Sequence, residues 1–297
     1  MTIPNYLFKS YFAGLLEGDG SFITPLVQRD TKNRLRYPAI KVAFHDKDRP
    51  LADILVSYYG GHIEEEVSEK GFAWWITSKD EILLVCFHIN GYLRTPKIND
   101  FSRMINFIKA RDSLLQFKIL PLDKTPLNSN AWLAGFSDAD GNFSLSISTR
   151  KNGKMRIQLF FRIEVTRFYK KKSLVKQSED HSSFMPICET IADFLGLKIY
   201  RRTRKGKGKI YHLIIATTTS FKTNANAIEY FERFPLFSSK YLDYSDWKYV
   251  HEMQMNKLHL TVEGQKFCKE IRQNYNSTRH IFCWNHLNHF YLKVNEK

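Results

Sequence analysis

YFAGLLEGDGSF, residues 11–22, and WLAGFSDADGNF, residues 132–143, are two copies of one pattern in a chain of 297 residues. Gly14 aligns with Gly135, Asp19 with Asp140, Gly20 with Gly141 and Phe22 with Phe143, always at an offset of 121 residues. A second echo lies downstream: TPKINDF (95–101) resembles SSKYLDY (238–244), with Lys97 and Lys240 now 143 residues apart. The second half therefore carries about 22 additional residues, which we assign to the polar stretch KKKSLVKQSEDHSS (170–183). Two matched copies in the same order indicate a duplicated domain. The halves are 1–116 and 131–297, the second with a C-terminal extension. Residues 117–130 read as a linker, where Pro121 and Pro126 interrupt helix and Asn128, Ser129 or Asn130 caps the next one.

Each half reads as helix, hairpin, helix, hairpin, helix, an α+β pattern. Helices are expected over 5–18, 50–59, 79–89 and 99–115, with strands over 21–28, 37–44, 62–67 and 72–77. In the second half Phe143, Leu145 and Ile147 alternate with Ser144, Ser146 and Ser148, a strand with one polar face, and 154–165 is its partner. A helix over 185–195, a hairpin of 198–204 with 209–216, and helices near 222–233 and 241–256 follow.

The small residues of the repeat fall on one helical face, Gly14 and Gly18 in the first copy and Gly135 and Ala139 in the second. That spacing lets two helix backbones approach closely, and Leu15, Leu16, Leu133 and Phe136 would bury the contact, so the copies are expected to pack on each other as the joint between halves. Asp19 and Asp140 each end a helix before a glycine. A carboxylate at a helix C-terminus is disfavoured by up to about 1 kcal/mol, and Glu17 and Asp138 add charge nearby. If the helices pair, two acidic ends converge and call for a hard divalent cation with oxygen ligands, Mg²⁺ above all.

The net charge of +15 and a pI near 9.5 point to a polyanionic partner. Basic residues are spread along the chain rather than gathered on one amphipathic helix, which argues against a membrane surface. No run of about 18 apolar residues occurs, and the N-terminus reads as neither a signal nor a transit peptide. Hydrophobic residues at 43% exclude a disordered chain. Four cysteines without a CxxC pair argue against a disulfide framework or zinc ribbon. High use of Phe, Tyr, Ile, Lys and Asn suits an AT-rich, organellar gene.

FAGLLEGDG (12–20) and LAGFSDADG (133–141) resemble the two signature motifs of the LAGLIDADG homing endonucleases, in the single-chain, two-motif form. Phe12 and Ser137 depart from the motif at packing positions. The resemblance implies a monomer of duplicated αββαββα units with pseudo-twofold symmetry, whose two antiparallel sheets form a saddle over the major groove of double-stranded DNA. It implies metal binding by Asp19 and Asp140, with the backbone at Gly18 and Ala139. It further implies Mg²⁺-dependent hydrolysis of both strands to short 3′ overhangs, with Mn²⁺ as an alternative and Ca²⁺ binding without turnover. Members are encoded in mobile introns, so a mitochondrion or other organelle is the expected location, and intron RNA is a further expected partner through maturase activity. The family places a basic residue near the active site, here Lys97 and Lys240, and a polar water-organising residue near His45. For the counterpart of His45, Glu164 and Arg167 both remain open.

Base reading is expected from polar strand faces, because a two-stranded ribbon fits the major groove. In the first half the candidates are Thr24, Gln28, Arg34, Arg36 and Lys41; in the second they are Ser144, Ser146, Ser148, Arg150, Arg156, Gln158, Tyr200, Arg202, Arg204 and Lys209. RRTRKGKGK (201–209) reads as a basic hairpin tip suited to phosphates. HIFCWNHLNHF (280–290) spaces His280, Cys283, His286 and His289 three apart, which makes a packed aromatic tail rather than a convergent metal site.

Overall fold

Aromatic side chains at helical spacing close the first helix onto a sheet. In α1 (Tyr6–Asp19), Phe8 and Phe12 are fully buried, and Phe12 stacks on Tyr59 with centroids 4.6 Å apart. The computed structural model describes residues 6–66, 70–169, 183–206 and 208–291, so most of the stretch 170–183 and Lys207 lie outside the described residues. The chain divides into two compact units, Met1–Ala139 with His289–Lys297, and Asp140–Asn288.

In the first unit α1 is followed by β1 (Gly20–Ile23), β2 (Ala39–His45), α2 (Arg49–Tyr59), β3 (His62–Glu66), β4 (Gly71–Ile76), α3 (Lys79–Ile89) and α4 (Ile98–Lys109). The strands form an antiparallel sheet in the order β1-β2-β4-β3. Phe22, Ile40, Val42, Trp74 and Ile76 share its buried face, while Ser21, Lys41 and Trp75 share the other. The strand expected over 21–28 ends at Ile23, because Pro25 has no N–H to donate to the ladder. Residues 24–38 instead fold on themselves: Arg29 bridges to Leu35, and Asp30 accepts from the backbone of Lys32 and Arg34.

Segment 117–130 is laid along this unit rather than left as a spacer. Asn90 holds both Lys118 O and Leu120 N, and Arg94 pairs with the buried Asp123 at 2.6 Å. Asn130 provides the expected cap, accepting from Trp132 N at the start of α5 (Trp132–Asp140).

The second unit repeats the order: β5 (Gly141–Thr149), β6 (Met155–Thr166), α6 (Met185–Leu195), β7 (Lys198–Gly206), β8 (Lys209–Thr217), α7 (Phe221–Arg233) and α8 (Lys240–Met255). Its antiparallel sheet runs β5-β6-β8-β7, the same topology as the first. The duplicated α+β architecture is thus present in both units. A helix with no sequence expectation, α9 (Val262–Gln273), opens the C-terminal extension, capped by Thr261. The aromatic tail packs: Phe290 is fully buried against Phe8 and Tyr11. His286 is buried in the second unit and stacks on Tyr241, with a ring nitrogen 3.2 Å from Phe237 O.

Candidate nucleic-acid interface and cleavage site

The signature helices pack backbone to backbone. A Cβ on Gly14 would sit 2.0 Å from Trp132 O, and one on Gly135 would sit 1.8 Å from Tyr11 O, so only glycine fits at either place. The contact is reciprocal in the manner of a twofold interface. Tyr11 donates to Asp138 at 2.6 Å and Trp132 Nε1 donates to Glu17 at 2.7 Å, and each residue of the first pair maps on the second by the 121-residue offset.

Glu17 and Asp138 therefore do not join an exposed acidic cluster. Glu17 is 1% exposed and accepts four hydrogen bonds, from Arg94 N, Thr95 N, Thr95 Oγ1 and Trp132 Nε1. Burial pushes its carboxyl up, while these donors pull it down. Burial and the Asp138 carboxylate raise Tyr11, which stays a phenol donor.

Asp19, by contrast, is exposed at the end of α1, and Asp140 is half-buried at the end of α5. Lys97, 6% exposed, binds the end of α1: its Nζ donates to Gly18 O and Gly20 O at 2.6 Å and to Leu16 O at 3.3 Å. A buried ammonium thus neutralises the negative pole of the helix that presents Asp19. The Gly18 carbonyl, a sequence candidate for metal, is engaged by that ammonium, so an ion there would have to share the oxygen with it. Lys240 is the first residue of α8, its N–H donating to Ser238 Oγ, and Ala139 immediately precedes Asp140.

Among the described residues no group of three or more His, Cys, Asp or Glu could hold a metal alone. Accessible aspartates as hard oxygen donors fit an ion that completes its shell with water and phosphate, as Mg²⁺ does.

His45 ends β2 on the face that carries Lys41, exposed, and its Nδ1 caps the 3-10 turn Asp46–Asp48 at 3.4 Å from Lys47 N. Gly20 pairs with Val42 and Gly141 with Ile163, so the counterpart of His45 is Thr166, not Glu164 or Arg167. The same register makes Arg162 the counterpart of Lys41.

The second sheet gathers its strand candidates on one face. Ser146 faces Gln158 and Ser148 faces Arg156, and the ladder through Arg162, Thr217 and Lys198 carries that face to Tyr200, Arg202, Arg204 and Lys209. Ser144 lies there too, donating to Asn142 at 2.6 Å, and Arg150 sits in the turn that follows β5. The first-half candidates are less uniform. Lys41 lies on the open face, its ammonium 5.3 Å from the Trp75 ring centroid. Thr24, Gln28, Arg34 and Arg36, expected on or beside a long strand, lie in the 24–38 loop instead, because Pro25 ends the strand. Arg34 pairs with Asp30, and Arg111 on the opposite flank binds Gln28 O and Arg36 O. Sequence reasoning missed Arg162, whose Nε is buried without a hydrogen-bond partner, and Arg111. The 121-residue offset applied to Lys41 would have found the first.

A model described as LAGLIDADG endonuclease matches residues 12–108 and 133–251. The chain belongs to this family. It is 31% identical to the intron-encoded DNA endonuclease aI3 of Saccharomyces cerevisiae, over 95% of this chain and 73% of that protein. It is 29% identical to the intron-encoded RNA maturase bI4 of the same yeast, over 56% of this chain and 23% of that one. The LAGLIDADG homing endonuclease I-SmaMI bound to cleaved DNA superposes with a TM-score of 0.70 at 21% identity, covering 94% of this chain and all (100%) of that one. I-LtrWI bound to target DNA gives 0.67 at 22% identity, covering 93% and 99%. The LAGLIDADG fold is therefore shared along nearly the whole chain.

In this LAGLIDADG chain the acid two residues before each metal candidate is structural. Glu17→Gln would turn an amide N–H₂ toward buried donors and is expected to cost about 2–4 kcal/mol, measured as a lower denaturation midpoint with an unchanged slope.

Proposed function

We propose that the protein is an intron-encoded homing endonuclease that binds a long double-stranded DNA target in the major groove and hydrolyses both strands, leaving short 3′ overhangs. The observation that carries this reading is the repeated junction of helix end and strand: Asp19 runs directly into β1 and Asp140 into β5, and the second sheet gathers Arg156, Arg162, Arg202 and Arg204 on its open face, where the first carries Lys41 beside Glu64. Under this reading Asp19 and Asp140, with the backbone at Gly18 and Ala139, hold divalent metal, Mg²⁺ in preference to Mn²⁺, with Ca²⁺ bound without turnover. The ion supplies an activated water and charge stabilisation at the leaving oxygen. Lys97 fixes the backbone on both sides of Asp19 and thereby orients its carboxylate. Lys240 and His45 act from the flanks, on the phosphate and on the attacking water respectively. Arg156, Gln158, Arg162, Tyr200, Arg202 and Arg204 meet bases and phosphates. The gene belongs in a mitochondrial or other organellar intron, and the protein acts as a monomer with two active halves. Cleavage of a randomised target library tests the reading: defined double-strand breaks in Mg²⁺ and none in Ca²⁺ are expected, and no enrichment of any sequence would defeat it.

Arg202 and Arg204, exposed on β7, serve as phosphate contacts. Arg202→Ala with Arg204→Ala is expected to flatten the plot of log affinity against log salt by about 0.9 per lost contact, read by filter binding across salt concentrations.

The similarity to RNA maturase bI4 supports a second reading, in which intron RNA is bound. Stimulated splicing without DNA cutting would favour it.

A further inference from the structure

The repeat reverses a charge beside a buried aspartate. In the first unit the buried Asp100 pairs with Arg103 of its own helix at 2.5 Å. Asp243 is the counterpart of Asp100 at the 143-residue offset, but the position of Arg103 is taken by Asp246. Asp243 is 2% exposed, and Arg279, from the extension after α9, supplies its cation: Nε lies 2.9 Å from Asp243 Oδ1, and the same guanidinium reaches Asp246. Asn276 N donates to the same Asp243 oxygen at 3.0 Å.

Asn276 also holds the strand that leaves Asp140. Its Nδ2 donates to Phe143 O at 2.9 Å, and its Oδ1 accepts from Asn142 Nδ2 at 3.1 Å. To do both, Asn276 adopts φ 53°, a left-handed conformation that costs energy and persists where the surroundings over-determine it. The fully buried Tyr275 anchors the segment.

We propose that Asn276 and Arg279 are positioning residues for the second cleavage site, tying the strand that follows Asp140 to the helix that begins with Lys240. The proposal rests on the endonuclease reading given above, in which each half serves one DNA strand. It makes residues 275–279 of the C-terminal extension a working part of the second site, whereas the later tail at Phe290 packs on Phe8 and Tyr11 of α1. Among the described residues, the side-chain hydrogen bonds of Asn276 and Arg279 run to residues 142, 143, 243 and 246.

Asn276→Gly is the sharpest variant, because glycine adopts the left-handed conformation freely and only the amide contacts are lost. Arg279→Gln is the second, and Arg279→Lys, which keeps the charge, should recover part of the effect. Hydrogen exchange of the free protein is expected to speed up about tenfold at Gly141–Phe143 and not at Gly20–Phe22. With end-labelled target in Mg²⁺, nicking of one strand is expected to fall about 10- to 100-fold while the other strand is cut at close to the parent rate. Equal slowing of both strands, or unchanged exchange at Gly141–Phe143, would overturn the proposal. Should the parent protein cut no DNA, the endonuclease reading fails, and the exchange experiment still decides whether the segment positions this strand.

Discussion

Asp19→Asn and Asp140→Asn are each expected to lower double-strand cleavage by about a thousandfold, the scale of several kcal/mol of lost metal-assisted stabilisation. Target affinity should hold, because the substitution removes a negative charge from a surface that faces phosphates. Stability should hold or rise. Each aspartate ends its helix, against the negative pole, and the neutral amide relieves about 0.3–1 kcal/mol of that repulsion. Few destabilising explanations survive such a result: a variant that melts no lower, binds as well and does not cut has lost chemistry alone. Asn keeps the size and an oxygen, so the comparison isolates charge. Cleavage in Mg²⁺ at the parent rate by either variant would remove that aspartate from the metal site. A variant that nicks one strand only would assign the replaced aspartate to the strand left uncut.

How much of this could be seen in the sequence follows from how local each signal is. The helix joint was legible because close approach needs small residues at fixed spacing, and Gly14 and Gly135 supply them 121 residues apart. The polar face of the second sheet was legible because the serines of β5 alternate with Phe143, Leu145 and Ile147. The end of β1 was written in Pro25, but alternation outweighed it in the reading of 21–28. Lys97 stood out as a repeated lysine, yet its three carbonyl partners lie 77 to 81 residues away, and no local pattern reports them. Glu17 and Asp138 misled for the same reason. Their donors include an aromatic residue on the other helix and, for Glu17, a loop, so acids read as added charge beside Asp19 and Asp140 are instead buried in hydrogen bonds. The bracing of Asp243 by Arg279 crosses 36 residues, whereas Asp100 pairs with Arg103 of its own helix, so the repeat could flag only the missing arginine at position 246.

Gly14→Ala carries a large expected loss of stability. The new methyl would lie 2.0 Å from Trp132 O and 2.7 Å from Phe136 N, and both are helix backbone that no rotamer change can move. Relief requires α1 and α5 to part by roughly 1 Å or more, and two short bonds pay for it: Tyr11 to Asp138 at 2.6 Å and Trp132 to Glu17 at 2.7 Å. Overpacking costs about 1–3 kcal/mol and weakened bonds to buried carboxylates a similar amount, while alanine returns about 1 kcal/mol of helix propensity. The net is a loss of about 3 kcal/mol, or roughly 5–10 °C in melting temperature. Gly135→Ala, whose methyl would meet Tyr11 O at 1.8 Å, should match it. The double variant should lose less than the sum, because helices already parted by one methyl admit the second at lower cost. Gly206→Ala is the control. Its nearest neighbour is a Tyr211 ring atom at 4.0 Å, and its melting temperature should stay near that of the parent. Strict additivity of the two helix variants, or a Gly14→Ala protein that melts like the control, would mean that the two signature helices do not meet at these glycines.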